Sequence, residues 1–558
     1  MADLHFSTGP GTVLFIVAFG LVAQYLWDLA KYRRSSKQHD AAKLPPNYPT
    51  LVPFFGTIFA LAWDLPGFVE RAAYRGRRLA STRVPLLPWW NILLFQDRET
   101  IRAIWDSSSL MSSNVMYVYA CKYMFGLPAK WLSLLAADDS GPYFKPHPQS
   151  HVQPHDRAQY ILSRGVVKCL TGPSLAPTLD KFQRNLIRRV RELKDAGGEA
   201  MLAKDFRRMV HEVVGRSLVD AIFGPALADI NPTFMADLYE LDRMLPWLGR
   251  GIPSIFIPGA YRVRRRMQQH FKNWYAHASQ LQEQTDSSAY EAAFEGSAWI
   301  KYRQETIQEI QDEEAVASVD VGAVWASTMN IVAATTMALI HLGEDRQLAR
   351  RVQKETESIS QSKPLGDVPI REFSKSHLLS SIFAETLRLH VKTFTVISAP
   401  HNDVHLGQYL LPKGGIGFLN SGISHFNSEF WNDQAGTKPV SAFWADRFLI
   451  DPANAQSGPT RQPYAGIPQS QKDLESSPYF SVDGLQESWF PFGGGHMLCP
   501  GRFIARNVIT FASSLFTQEF DLEVLVDHIE MSTSNYGLGT EHPKNPVPVR
   551  MRAINIGE

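Results

Sequence analysis

The stretch FPFGGGHMLCPGR, residues 490–502, sets Cys499 between a run of glycines and a Pro-Gly step, in a chain of 558 residues with only three cysteines. Three chemistries are open to such a thiol. It can be a small buried hydrophobe, a redox or nucleophilic sulfur with His496 as its base three residues away, or a thiolate bound to a metal. The neighbours favour the third. Gly493, Gly494 and Gly495 permit positive φ and let the backbone approach a flat ligand. Pro500 suits the first turn of a helix, and GRFIARNVITFASSLF has the periodicity to continue it. Cys499 would then stand at a positive helix end, which stabilises a thiolate. Gly501 would let that helix lie close to the ligand, and Phe492 would shield the sulfur. A cysteine thiolate on haem iron is the ligation that favours O–O cleavage.

A second set of residues lies upstream. In AETLRLH, Glu385 and Arg388 are three apart and share one helix face. Arg447, in FWADRF, could reach the same carboxylate and make a charge network that fixes the core around the cysteine loop. Taken alone, these are as easily two surface charges and a loop arginine. Taken with the loop, they resemble a known family. Phe492-x-x-Gly495-x-x-x-Cys499-x-Gly501 is similar to the haem-binding signature of the cytochrome P450 superfamily, Glu385 and Arg388 to its ExxR pair, and Arg447 to the arginine completing the triad.

The resemblance covers almost the whole chain. It implies a mainly α fold with a small β-sheet, and haem b with its iron ligated by Cys499. It further implies that Phe492, Gly495, His496, Gly501 and His401 hold the cofactor. Electrons would come from a membrane-bound NADPH–cytochrome P450 reductase docking on the Cys499 side, with cytochrome b5 as a further partner. GGGHMLCPGR looks most like the loop of filamentous-fungal secondary-metabolism members, which hydroxylate or further oxidise lipophilic terpenoid, steroid or related scaffolds.

One part departs from the family's pattern. Most members carry an acid-alcohol pair midway along a long helix over the haem, expected here at about 316–342. WASTMN resembles the branch of sterol 7α-hydroxylases and prostacyclin synthase, where Asn replaces the acid and Thr usually follows. Here Asn330 is followed by Ile331. Asn330 and Thr335 are the catalytic candidates, with Ser327 and Thr336 as further hydroxyls. Ala323, Ser327, Asn330 and Ala334 are expected on one face. The missing alcohol raises an alternative, an isomerase or dehydratase of the same fold that does not activate dioxygen. Propionate partners depart as well. Met497 stands two residues before the cysteine, where Arg or His is usual. VISAPHND offers His401 ahead of Asp403 and no arginine, and Arg157 and Arg164 lie in an expected helix.

These residues need a scaffold, and the rest of the chain can supply one. At 44% hydrophobic content it can bury a large core. A net charge of +1 gives no basic footprint for nucleic acid. Three cysteines make no disulfide framework, and no CxxC pair suggests structural zinc. Residues 11–30, GTVLFIVAFGLVAQYLWDLA, are long enough as a helix to cross a bilayer. Lys31, Arg33 and Arg34 follow, which places the remainder on the cytosolic side. The expected organisation is a lumenal tail over 1–10, a transmembrane anchor over 11–30, a basic and proline-rich hinge over 31–56, and a catalytic domain over 57–558. The expected location is the endoplasmic reticulum membrane, single-pass.

Within the body, 180–196, 200–222 and 260–283 have helical period. Residues 391–425 mix β-formers with turns, and 451–488 reads as a long surface loop. The apolar, proline-cut segment 244–259 fits an interfacial dip, a pocket cap or a plain buried loop equally.

Overall fold

The computed structural model describes residues 10–34, 44–50, 57–87, 89–283, 287–294, 298–461 and 477–554. The tail at 1–9 and much of the proline-rich hinge lie outside these residues. The chain divides into two compact units, one formed by 1–113 with 394–424, the other by 114–393 with 425–558.

The smaller unit holds the N-terminal helix, Pro10–Arg34. Its sheet is built on the antiparallel pair Thr82–Leu87 and Trp90–Leu94. Along Thr82–Leu87 buried and half-buried residues alternate, the pattern of a strand with one face in the core. These strands interrupt residues 60–390, most of which read from their sequence as helices broken by short turns. Trp90–Leu94 pairs in parallel with Ile416–Asn420, which pairs antiparallel with 394–398. Gly417 is required there, because a Cβ would lie 2.7 Å from the Phe95 ring and 2.8 Å from Ile397. The hairpin Val404–Leu406 and Tyr409–Leu411 completes this part, so the expected change of texture after residue 391 is observed.

The larger unit is helical around one extended core. At its centre runs Glu313–Glu344, longer at both ends than the expected 316–342. Asp312 caps it, accepting from the Ala315 N–H at 3.0 Å. By length and composition this helix could cross a bilayer, but 83% of its most apolar window is buried in protein. It is a core helix, apolar nearly all round. Pro258–Glu283, His377–His390 and Arg502–Glu519 pack against it. Residues 175–197 and 258–283 are helices as their periodicity predicts. Residues 200–203 are instead a strand, in a three-stranded antiparallel sheet with Phe520–Val524 and Val549–Ala553. Residues 391–393 pair with Leu538–Thr540. Segment 244–259 is divided between the end of helix Phe234–Leu248, which contains Pro246, and the start of Pro258–Glu283. Between them Ile255 and Phe256 are exposed.

Candidate active site

The glycine-rich loop closes on itself. The Cys499 N–H donates to the Phe492 carbonyl at 2.9 Å, and Met497 N–H to Gly494 O at 3.1 Å. Gly493 and Gly495 take φ of +72° and +54°, the region open cheaply only to a residue without Cβ. The helix behind begins at Arg502 with Gly501 as its N-cap. Pro500 therefore precedes the cap and is not in the first turn as expected. A Cβ on Gly501 would sit 3.6 Å from Cys499 Sγ, an ordinary contact distance. Phe492 stacks on Phe383 from helix His377–His390, with centroids 6.3 Å apart.

Cys121 and Cys169 are buried, whereas Cys499 is exposed. Protein packed around its sulfur raises the thiol pKa, against the opposing pull of the Gly501 N–H and the Arg502 charge. The thiol pKa is thus not lowered at the helix end as expected, for a nucleophile and a metal ligand alike. Its expected base is engaged elsewhere: the His496 ring meets Tyr143 edge-on at 5.9 Å, and the His496 carbonyl accepts from the Tyr143 hydroxyl. Among the described residues, no group of three or more His, Cys, Asp or Glu is placed to hold a metal. What the loop offers is a single sulfur on a flat glycine cradle, the donor set of a thiolate-bound haem.

Glu385, Arg388 and Arg447 meet in one charge triad, and all three side chains are fully buried. Arg388 donates to both Glu385 carboxylate oxygens, at 2.7 and 2.9 Å, and Arg447 Nε to Oε1 at 2.9 Å. Remaining guanidinium N–H groups reach the carbonyls of His425 and Val440 from Arg388, and those of Asn432, Pro439 and Ala442 from Arg447. Burial alone would raise the Glu385 pKa, but the two guanidiniums outweigh it and hold the carboxyl below its ordinary range. His425 extends the network to the cysteine loop, its Nε2 accepting from the Phe490 N–H at 3.3 Å. Burial and the nearby Arg388 press its pKa down to about 3. Sequence reading missed His425; a lone histidine five residues after a strand carries no motif.

On the long helix, Gly322, Trp325, Ala326 and Asn330 form the stripe left partly or fully open, while Ala323, Ser327 and Ala334 are buried. The open face is thus turned from the expected one, and only Asn330 belongs to both. Ile331 is buried in the core. Thr335 is fully buried and its hydroxyl has no hydrogen-bond partner among the described residues. Adjacent Thr336 makes the usual bond to its i−4 carbonyl, Val332 O, at 2.7 Å. A buried hydroxyl left unpaired costs about 1–3 kcal/mol.

Arg157 turns onto the loop before its helix, donating to Ser140 Oγ at 3.0 Å and Phe144 O at 2.7 Å. Arg164 pairs with Glu309 and Tyr302. His401 lies in the smaller unit, on the turn before Val404–Leu406.

A family profile described as Cytochrome P450 matches residues 162–549. The chain is 27% identical over 568 residues to "Cytochrome P450 monooxygenase efuG" of Hormonema carpetanum, covering 98% of this chain and 97% of that protein. It is 28% identical to "Cytochrome P450 monooxygenase fsoE" of Humicola fuscoatra, covering 92% and 88%. To "Cholesterol 7-alpha-monooxygenase" of Cricetulus griseus it is 23% identical over 57% of the chain and 58% of that protein.

Proposed function

The chain belongs to the cytochrome P450 family, and on that premise we propose that it is a membrane-anchored monooxygenase, with Cys499 as the ligand of its haem iron and a lipophilic terpenoid or steroid as its substrate. It is an enzyme of the haem-thiolate monooxygenase class, of secondary-metabolism or sterol type. The observation carrying the site assignment is the exposed Cys499 on a loop whose Gly493 and Gly495 take positive φ.

A haem held there supplies dioxygen chemistry driven by electrons from a reductase. The chain's own residues do the rest. The Gly501 N–H bonds the sulfur, and the triad ties helix His377–His390 to the segment 425–447. Asn330 lies on the open stripe of the long helix, and Thr335 holds an uncommitted hydroxyl in the same helix. His401 takes the propionate role that the family gives to arginine. The helix Pro10–Arg34 is the anchor, its side chains at Leu14, Phe15, Phe19 and Trp27 exposed, with the body on the cytosolic face of the endoplasmic reticulum. NADPH–cytochrome P450 reductase, with cytochrome b5 as a second donor, is the redox partner.

The test is expression in a host that supplies a reductase, with terpenoid and steroid precursors under ¹⁸O-labelled dioxygen and Cys499→Ala as control. A labelled, Cys499-dependent product is expected. A Cys499-dependent product that carries no label and forms without NADPH would establish the isomerase or dehydratase instead.

A further inference from the structure

Asn330 is held by a strand that lies far away in sequence. Its Oδ1 accepts from the Thr540 N–H at 3.0 Å. Directly beside it stands Gly539, where a Cβ would lie only 2.1 Å from that oxygen and 3.0 Å from the carboxamide carbon. Gly539 is fully within strand Leu538–Thr540 and its φ is not positive. Its missing Cβ therefore serves no turn; it makes room for the carboxamide. The strand is fixed in its turn. It pairs with 391–393, Gly537 N–H donates to Lys392 O at 2.6 Å, and Glu541 N–H to His390 O at 2.7 Å. Lys392 and Glu541 close it with an ion pair at 2.7 Å.

A carboxamide has one acceptor oxygen and one NH₂ donor. With the oxygen committed to a backbone N–H, the amide cannot flip without leaving that N–H unpaired and pressing two donors together. The Nδ2 group has no hydrogen-bond partner among the described residues, and Asn330 lies on the open stripe with Ala326 and Gly322. We infer that Gly539 and Thr540 clamp Asn330 into a single orientation, making it a fixed N–H donor toward the reaction space, with Gly539 the positioning residue that permits it. In this chain the place of the acid-alcohol pair is thus taken by a donor that does not titrate and does not rotate.

The inference rests on the reading of Cys499 as the haem ligand beneath this helix, and its test separates the two. Full-length, haem-loaded Gly539→Ala, Asn330→Ala and the double variant are compared with the native chain by two readouts. The first is thermal stability. Gly539→Ala is expected to lower the midpoint in the native background and to have little effect in the Asn330→Ala background, where the colliding oxygen is gone. Equal losses in both backgrounds would overturn the clamp.

The second readout is the infrared C–O stretch of the ferrous carbon monoxide complex, which falls when a donor points at the bound gas. Asn330→Ala is expected to raise it, and Gly539→Ala to raise it similarly although the amide is still present. A shift in Asn330→Ala with none in Gly539→Ala overturns the positioning role. No shift in either variant shows that the donor faces elsewhere and overturns the inference while leaving the thiolate reading intact. Loss of the red-shifted Soret band of a thiolate complex in the native chain would instead sink the reading of Cys499, and the stability comparison would still decide the clamp.

Discussion

At the residue scale, the buried triad makes the sharpest demand. Glu385 faces two guanidiniums, with all three side chains fully buried. Glu385→Gln keeps the shape but leaves two buried cations uncompensated, and breaking a buried pair in this way costs about 3–5 kcal/mol. Urea unfolding of the haem-loaded variant should show a loss of that order; a loss below about 1 kcal/mol would mean that the carbonyls around Arg388 and Arg447 suffice without the carboxylate. His401→Ala tests the propionate role. Haem retained per chain through gel filtration should fall, and unchanged retention would remove His401 from the site. Arg447 has no fixed spacing and was placed by the family resemblance alone, whereas Glu385 and Arg388 were legible in the sequence because an ion pair on one helix face needs fixed residue types three apart. Gly539 and Thr540 were not, because their partner Asn330 lies more than two hundred positions away and no local pattern encodes the meeting.

At the element scale, what period and turn chemistry dictate was readable, and what tertiary pairing dictates was not. The helices 175–197 and 258–283 announce themselves through apolar residues at three and four. Residues 200–203 continue such a pattern, yet they form a strand because Val549–Ala553 offers them a backbone edge. The open stripe of the long helix was misplaced for a related reason: a helix apolar all round has no hydrophobic face from which to read its orientation. Packing of elements also sets the acid response. His425 is buried neutral between the triad and the cysteine loop, with its pKa pressed to about 3, and His211 among its helices to about 4. Unfolded, both titrate near 6.5. As pH falls below 6.5 the unfolded chain takes up protons that the folded chain refuses, so stability declines from there toward pH 4. The slope is about 1.4 kcal/mol per pH unit for each histidine. Glu385, held low, adds a further loss only at more acid pH. Denaturant unfolding across pH 4–7 should therefore show a falling limb that His425→Asn flattens by about one proton; an unchanged slope in that variant would mean that His425 is not buried neutral.

At the scale of the whole molecule, the proposed membrane attachment of a balanced, nearly neutral chain needs a physical source. Net charge of +1 supplies no general electrostatic attraction to an anionic surface. The proposed attachment therefore rests on apolar area at particular places. The helix Pro10–Arg34 is 25 residues long, about 37 Å at 1.5 Å per residue, and its exposed Leu14, Phe15, Phe19 and Trp27 have no protein cover. The long helix Glu313–Glu344 is as apolar but is committed to the core, so it cannot serve. Ile255 and Phe256 are exposed as well, but two side chains on a turn give a weak and reversible hold compared with a spanning helix. The full chain should therefore stay with membranes through an alkaline carbonate wash, and a chain beginning at residue 35 should be released by it. Retention of the shortened chain would mean that the anchor is not Pro10–Arg34. If Ile255→Ser with Phe256→Ser then freed it, the hold would have to be assigned to the turn before Pro258.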